Sequence, residues 1–304
     1  MTEARALEPA RPSRIEGLLA FFAIYVIWGS TFLAIRYAVE SIPPLFTAAT
    51  RHLIAGTILL LWALWKGERP TTQGWRAGAI LGFLFFFVSH GLLHWAEQSV
   101  PSGVAALVIA IEPAIVALLL PVLRLGPKPT GWTYAGLALG AVGVGVLFGP
   151  EVTTGFDVRV GLVSVLISAI AWSFGIVYAR KVQPKTGGTL NAALPLLCGS
   201  AMLLLGGLLR GEHRMLHPSS VSQASLLALL FLIFFGSLIA FSAYAWLLKH
   251  YPPTLVATHT YVNPIVAVLL GWLFAGEKLT PSIVFAMVLA ISAIALVNRG
   301  SQSG

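Results

Sequence analysis

The stretch WAEQSVPSGVAALVIAIEPAIVALLLP at residues 95–121 has a counterpart 151 residues later, WLLKHYPPTLVATHTYVNPIVAVLLGW at residues 246–272. At this offset the two stretches share a tryptophan, two prolines, an alanine and a pair of leucines. The matched residues are Trp95 with Trp246, Pro101 with Pro252, Ala106 with Ala257, Pro113 with Pro264, and Leu118-Leu119 with Leu269-Leu270. Several identities at one offset predict an internal repeat, which decides the fold of such a chain.

The composition places this repeat in a membrane. Apolar residues make up 57% of the 304 residues and charged residues only 10%, against a typical charged share of about 25%. The mean hydropathy is +0.86. Because so little polar surface cannot coat a soluble protein, most of the exterior must face lipid. A soluble enzyme, a disordered tail and a disulfide-rich scaffold are excluded, and the single cysteine, Cys198, has no partner in the chain.

Ten apolar stretches approach the length of about 20 residues that crosses a bilayer. They are residues 15–37, 44–65, 75–95, 102–123, 130–148, 160–180, 191–209, 225–249, 254–274 and 280–297. The predicted fold is an all-α polytopic membrane protein with ten transmembrane helices. Its predicted divisions are a tail at 1–14, five helices at 15–148, five helices at 160–297 and a tail at 298–304. Because five is odd, the second unit enters the membrane from the opposite side, so the repeat is inverted.

The basic residues predict the orientation. If both termini are cytoplasmic, thirteen Lys and Arg residues fall on cytoplasmic segments and only four fall outside. Those four are Arg159, Arg210, Arg214 and Lys278. This bias matches the excess of basic residues in cytoplasmic loops. The net charge of +8 is then explained by topology and by anionic lipid headgroups, so it gives no indication of nucleic acid.

Three motifs in the chain resemble the EamA family of the drug/metabolite transporter superfamily. They are Ile27-Trp28-Gly29-Ser30-Thr31-Phe32, Pro101-Ser102-Gly103-Val104-Ala105-Ala106, and Tyr261-Val262-Asn263-Pro264 together with Gly276-Glu277. One departure is that Gly276-Glu277 has Gly126-Pro127 as its counterpart. The resemblance implies a bacterial inner-membrane permease with two inverted halves and a central cavity, which moves small metabolites, often outward.

Glu112 is the most informative polar residue, since it lies in the middle of the fourth span, where a charge is costly, directly before Pro113. A proline removes a backbone hydrogen bond, which is tolerated in lipid only where other helices or a water-filled cavity satisfy the freed groups. We therefore predict helix breaks at Pro113 and at its counterpart Pro264. Glu112 is predicted to couple protons or to bind a substrate amine; the alternative is a protonated side chain bonded to a neighbouring helix.

Further cavity residues are predicted from polar and aromatic side chains inside spans. Asn263, His259 and Tyr261 are expected to orient the substrate, with an interhelical hydrogen bond as the alternative role for Asn263. Arg51 either attracts a substrate carboxylate or extends to the outer headgroups. The remaining aromatic candidates, which either line the cavity or only pack between helices, are Trp28, Trp172 and Tyr244.

His90, His94 and Glu97 fall on one helical face near the outer end of the third span. Two histidines four residues apart with a carboxylate can bind zinc, so an intramembrane metalloenzyme is one alternative. The general base between the ligands is missing from this spacing, and we predict no metal or cofactor. His90 is instead predicted to line the cavity.

No phosphate-binding Gly-x-x-x-x-Gly-Lys-Ser/Thr loop is present, so the chain does not itself use ATP through such a loop. The prediction is a secondary active transporter of small metabolites such as amino acids. It works by alternating access, with export favoured and coupling to the proton gradient, and a passive facilitator or channel is the other alternative. Small residues in the fifth and tenth spans predict a packing seam, either within the chain or in a homodimer.

Overall fold

A computed structural model describes residues 13–125, 128–149, 155–182, 188–251, 256 and 258–302 of the chain. Within these residues, all regular structure is helical. Eight helices are long and apolar enough to cross a membrane, and two shorter helices are equally apolar. In chain order they are α1 Arg14–Val39, α2 Pro44–Trp65, α3 Thr72–Ala96, α4 Ser102–Val122, α5 Gly131–Leu147, α6 Phe156–Val182, α7 Gly188–Leu209, α8 Gln223–Tyr244, α9 His259–Ala275 and α10 Pro281–Gln302.

Each predicted span coincides with one of these helices, and the two shorter ones are the fifth and ninth. A 17-residue helix is about 26 Å long, close to the lower limit for crossing a bilayer. Some sequence predictions fall outside the described residues. These are most of the tail at 1–14, the Gly126-Pro127 counterpart, the repeat residues Pro252 and Ala257, and the start of the ninth span at 254.

The helices are irregular at mid-depth. Stretches of π-helix occupy Ala23–Ile27 in α1, Gly82–His90 in α3 and Leu232–Ile239 in α8. Helix α4 is interrupted at residues 110–111, and its second segment starts at Glu112. A π-helical turn widens the helix and changes which backbone groups are paired, so these segments are often found at functional sites.

The two predicted helix breaks have different outcomes. Pro113 lies in the first turn after the interruption in α4, where a proline is readily accepted. Helix α9 instead continues through Pro264 without interruption, so the break predicted at Pro264 is wrong. A proline at this point costs α9 one backbone hydrogen bond, and packing against a neighbouring helix compensates for that loss in a membrane protein.

The predicted seam of small residues lies inside the chain, between α5 and α10. A Cβ atom added at Gly136 would lie 2.6 Å from the carbonyl oxygen of Ala293, and one added at Gly143 would lie 3.2 Å from Leu289 Cβ. Glycine at these positions allows the two backbones to approach closely. The homodimer stays a prediction.

Two carboxylates cap helices of the opposite half in a mirrored arrangement. Glu68, which follows α2, accepts a hydrogen bond from the Leu190 amide in the first turn of α7 (3.1 Å). Glu212, which follows α7, accepts from the amides of Leu45 (3.0 Å) and Phe46 (3.1 Å) in the first turn of α2. A carboxylate at this position satisfies unpaired N–H groups and the helix dipole. Glu68 and Glu212 are 144 residues apart, so related positions make the same kind of contact.

A third carboxylate, Glu277, joins three helices at the end of the bundle opposite the chain termini. It accepts hydrogen bonds from Ser102 N (2.6 Å), Ser102 Oγ (2.8 Å) and Gly103 N (3.0 Å) at the start of α4. Arg36 of α1 lies 3.6 Å away and forms an ion pair with it. Gly276 ends α9 in the left-handed region (φ 62°), which turns Glu277 toward α4. The sequence motifs at 101–106 and 276–277 therefore meet in the fold.

Candidate functional site

Two aromatic clusters lie at mid-depth, and each pairs a tryptophan of one half with a histidine of the other. Trp28 of α1 contacts His259 of α9 and Tyr244 of α8, with ring centroids 5.3 and 5.1 Å away. Trp172 of α6 stacks on His90 of α3, with centroids 5.1 Å apart and planes 7° from parallel. Trp28 and Trp172, which lie 144 residues apart in the sequence, therefore have the same kind of partner.

Two adjacent residues in the π-helical segment of α8 accept hydrogen bonds from Trp28 and Arg51. Trp28 Nε1 donates to the Gly236 carbonyl oxygen (3.1 Å), and Arg51 Nε donates to Ser237 Oγ (2.8 Å). A Cβ atom added at Gly236 would lie 3.1 Å from Arg51 Nη2. Arg51 is only 4% exposed, so its guanidinium lies inside the helix bundle and does not extend to the headgroups.

His52 links Arg51 to the second cluster. It follows Arg51 in α2, and its Nε2 lies 2.9 Å from His90 Nδ1. In the part of the chain that the structure describes, no carboxylate lies within ion-pair distance of the Arg51 guanidinium. A buried arginine without a carboxylate partner is available to bind an anionic group.

Glu112 faces the first cluster from the start of the second segment of α4. Its carboxyl group accepts no hydrogen bond from the described residues. Its backbone carbonyl lies 3.5 Å from Ser173 Oγ of α6, and its side chain is close enough to Tyr244 to interact electrostatically. The carboxyl group therefore lies within electrostatic range of Tyr244, and no described donor satisfies it.

Asn263 and Tyr261 are placed differently from the other candidates. With its nitrogen facing α1, the Asn263 amide lies 3.0 Å from the carbonyl oxygens of Ile24 and Tyr25 and 3.1 Å from that of His259. Two of these carbonyls belong to the π-helical segment of α1, so the amide joins α9 to α1. The Tyr261 hydroxyl accepts a hydrogen bond from Asn298 Nδ2 of α10. The Asn263 amide and the Tyr261 hydroxyl therefore both have hydrogen-bond partners within the protein.

The structure thus brings six of the nine cavity candidates into one chain of contacts: Trp172, His90, Arg51, Trp28, Tyr244 and His259. A seventh, Glu112, lies within electrostatic range of Tyr244. The two connecting residues, His52 and Ser237, were not predicted from the sequence. Neither has a distinctive spacing, and only the packing of α2 against α3 and α8 shows their part in the site.

The half of the bundle opposite the termini is tightly packed. In α4, every residue from Ser102 to Val108 is buried, whereas most residues from Glu112 to Pro121 are half-buried. The largest hydrophobic core joins the buried part of α4 to α1, α3, α6, α9 and α10. The site therefore lies where this closed half meets a more open half on the side of the termini.

His94 and Glu97 lie within the closed half and are 0% and 1% exposed. His94 Nδ1 is bonded to the His90 carbonyl oxygen (2.7 Å). Burial and the neighbouring Glu277 carboxylate raise the pKa of Glu97 well above its usual range. Among the described residues, no group of three or more His, Cys, Asp or Glu side chains is arranged to hold a metal ion.

Comparison with known proteins gives a consistent result along the whole chain. The model of the EamA-like transporter family matches residues 15–149 and again 159–299. The uncharacterized inner membrane transporter YedA of Escherichia coli K12 is 35% identical over 92% of this chain and 90% of the relative. A probable amino-acid metabolite efflux pump of the same organism is 26% identical over 88% of this chain and 89% of its own length.

Two further matches are more distant. The S-adenosylmethionine/S-adenosylhomocysteine transporter of Chlamydia muridarum is 25% identical over 88% of each chain. A solved crystal structure superposes with a TM-score of 0.65 at 21% identity and covers 95% of this chain and 99% of its own. At that identity the superposition indicates a shared fold.

Proposed function

Because the chain belongs to the EamA-like transporter family, we propose that it is a secondary active transporter that exports small metabolites by alternating access. The location we propose is the bacterial inner membrane, as the name of the relative YedA states for that protein. Transporters of this kind commonly consist of two inverted repeats with the binding site between them near mid-depth. The described site lies between helices of both halves.

The inverted arrangement is supported by the mirrored caps. Glu68 of the first half caps α7 of the second, and Glu212 of the second half caps α2 of the first, at opposite ends of the bundle. This is expected if a pseudo-twofold axis in the membrane plane relates residues 15–148 to 160–297. We propose ten transmembrane helices with both termini in the cytoplasm. Reporter fusions after Gly304 and near Thr186 should both report the cytoplasm. A periplasmic signal at either point would contradict this topology.

The observation that carries the proposal is the presence of two opposite charges, Arg51 and Glu112, that have no described ion-pair partner and lie near the aromatic clusters. Arg51 and Glu112 each cost free energy at mid-membrane, commonly about 2.5–3.5 kcal/mol on insertion scales, so a polar ligand is their best explanation. A guanidinium binds a carboxylate with two parallel hydrogen bonds, and a carboxylate binds an amine. The rings of Trp28, Tyr244 and His259 suit an apolar side chain. These features favour amino acids and related metabolites.

Coupling to protons follows from competition at Glu112. A carboxylate holds either a proton or a substrate amine, so binding of one releases the other. An inward proton gradient then drives the substrate outward. Two relatives whose names state an amino-acid metabolite or an S-adenosyl amino acid as cargo are consistent with a ligand of this class.

Transport in reconstituted vesicles tests this function. Labelled leucine, phenylalanine, threonine and S-adenosylmethionine would be offered with and without a proton gradient, to wild type and to Glu112→Gln. We expect gradient-driven accumulation in wild type and its loss in the variant. The control is Glu16→Gln, because glutamine is accepted at that position of the exposed capping box formed with Ser13. Equal movement down the substrate gradient in all three proteins would favour the passive facilitator.

A further inference from the structure

We propose that Glu97, His94 and the His52–His90 pair form a proton route through the closed half of the bundle, from the outer face to the central site. The inference rests on the proposed proton-coupled function and assigns a role to buried groups that substrate binding does not use. In the proposed topology, the closed half faces the periplasm. Protons that drive export must cross this half while it excludes the substrate.

The route is indicated by unsatisfied polar atoms on neighbouring helical positions. Among the described residues, the buried side-chain nitrogen and oxygen atoms without a hydrogen-bond partner are His52 Nδ1, His94 Nε2, and Glu97 Oε1 and Oε2. Buried polar atoms are nearly always paired with protein or ordered water, and exceptions often mark function. Packing defects would scatter such atoms through the bundle, but these belong to neighbouring positions in α2 and at the end of α3.

The spacing of these groups spans the closed half. His90, His94 and Glu97 are four and three residues apart, so they share one helical face and extend over about 10 Å at 1.5 Å per residue. The inner end of the series is His90, which stacks on Trp172 and contacts His52. The rings of His90 and His94 have centroids 5.9 Å apart, a gap that one bridging water can cross. The His52–His90 contact passes a proton by exchanging the tautomers of its two rings.

The charges around Glu97 explain how it takes up a proton. The groups that act on it are Glu277 after α9, Arg36 of α1 and Arg51 of α2. Glu277 already accepts hydrogen bonds from Ser102 and Gly103 and is paired with Arg36. A second negative charge beside it in a dry environment would lack compensation. Glu97 is therefore neutral when this half is closed and ionises when this half opens to water.

The proton balance is simple, because only O–H and N–H bonds change. With the outer half open, the Glu97 carboxylate takes one proton from the periplasm. After closure, Glu97 passes a proton through water to His94 Nε2 and takes a replacement proton from the periplasmic side, so it stays neutral. The transferred proton moves on to the His52–His90 pair, where each imidazole returns to its neutral form. Glu112 receives the proton last and releases it to the cytoplasm when a substrate amine takes its place.

Infrared spectroscopy of the purified wild-type protein tests the first step without any substrate. We expect bands of protonated carboxyl groups at neutral pH from Glu97 and from Glu112, so Glu97→Gln should lose part of the signal and Glu212→Gln should lose none. Glu212 is a matched control because it is also buried, at 3% exposed, but its carboxylate caps α2. An unchanged band in Glu97→Gln would mean that Glu97 is ionised, and the proposal would be overturned.

Transport measurements test the route itself in vesicles of phosphatidylethanolamine and phosphatidylglycerol. For Glu97→Gln and His94→Gln, we expect exchange of labelled leucine for unlabelled leucine without a gradient to persist, because substrate binding is intact. Gradient-driven movement should fall about tenfold, and Glu97→Asp should restore part of it with a shifted pH profile. The control for His94 is the exposed His217, changed to Gln.

The outcomes separate this inference from the proposed function. If the labelled leucine is not moved, phenylalanine replaces it in both assays. Coupled transport in wild type and equal coupling in Glu97→Gln would overturn the route alone. Wild type that moves substrate without protons would overturn both the route and the proposed function.

Discussion

The two proline positions of the repeat, Glu112-Pro113 in α4 and Asn263-Pro264 in α9, have related sequences but different surroundings. At the first, the helix is interrupted and the carboxyl group has no hydrogen-bond partner among the described residues. At the second, the helix is continuous and the amide contacts the carbonyl oxygens of Ile24 and Tyr25. One copy of the motif therefore leaves a polar group available to a ligand, and the other uses it to join helices.

This difference shows how a duplicated fold acquires an asymmetric site. The repeat fixes where a polar residue stands before a proline, but it does not fix what that residue contacts. An amide can donate to backbone carbonyls without ionising, so it suits a structural contact with the π-helical turn of α1. A carboxylate cannot make that contact unless it is protonated, which leaves Glu112 free to exchange a proton.

The largest effect is expected when the two positions are made alike. Glu112→Asn gives α4 the residue that α9 has, and we expect it to abolish proton-driven accumulation in vesicles because an amide cannot exchange a proton at neutral pH. Exchange of substrate across the membrane without a gradient should continue. Accumulation at the wild-type level in Glu112→Asn would show that coupling does not depend on this carboxyl group.

The next largest effect concerns stability, and here the loss should be larger at Asn263 than at Glu112. Asn263→Leu leaves the carbonyl oxygens of Ile24 and Tyr25 without their amide donor, so we expect it to lower the free energy of unfolding by about 1–3 kcal/mol. Glu112→Leu removes no hydrogen bond of the described residues and should cost less. Unfolding in mixed micelles with increasing sodium dodecyl sulfate measures both variants. A larger loss for Glu112→Leu would reverse the assigned roles.

Where repeat-related residues do make the same contact, their variants should behave alike. Glu68→Ala and Glu212→Ala each remove a carboxylate cap, and such losses cost about 0.5–2 kcal/mol. The loss for Glu212 should be the larger, because it accepts from two amides and Glu68 from one. The same unfolding assay tests this order. Full stability of either variant would argue against mirrored capping.

The smallest effect is expected at the two tryptophans. Trp28→Phe loses the hydrogen bond to the Gly236 carbonyl as well as ring area, whereas Trp172→Phe changes only ring contacts, with His90, Phe85 and Phe86. Substrate affinity should fall by about 0.5–1.5 kcal/mol in each, with the larger loss at Trp28. Concentration dependence of leucine exchange measures this difference. Equal affinities in wild type and Trp28→Phe would assign the tryptophan to packing.

Much of the fold was predictable because lipid restricts the possible structures. Apolar length alone identified all ten helices, and the offset of 151 residues indicated the repeat. The break at Pro264 was wrongly predicted, because the sequence does not show that a neighbouring helix supports α9. The sequence also did not show that Asn263 contacts α1 or that Tyr261 contacts Asn298, because those partners lie more than 30 residues away in the chain.

The amino-acid sequence is enough to predict a membrane-spanning helical chain with a duplicated plan and a carboxylate at mid-depth. These properties follow from hydropathy, which is local, and from spacing within each copy. The tertiary structure alone decided which polar groups are satisfied by the protein and which are left for a ligand or a proton. Hydrogen bonding between helices depends on distances of about 3 Å between atoms far apart in the chain, and no local pattern encodes those distances.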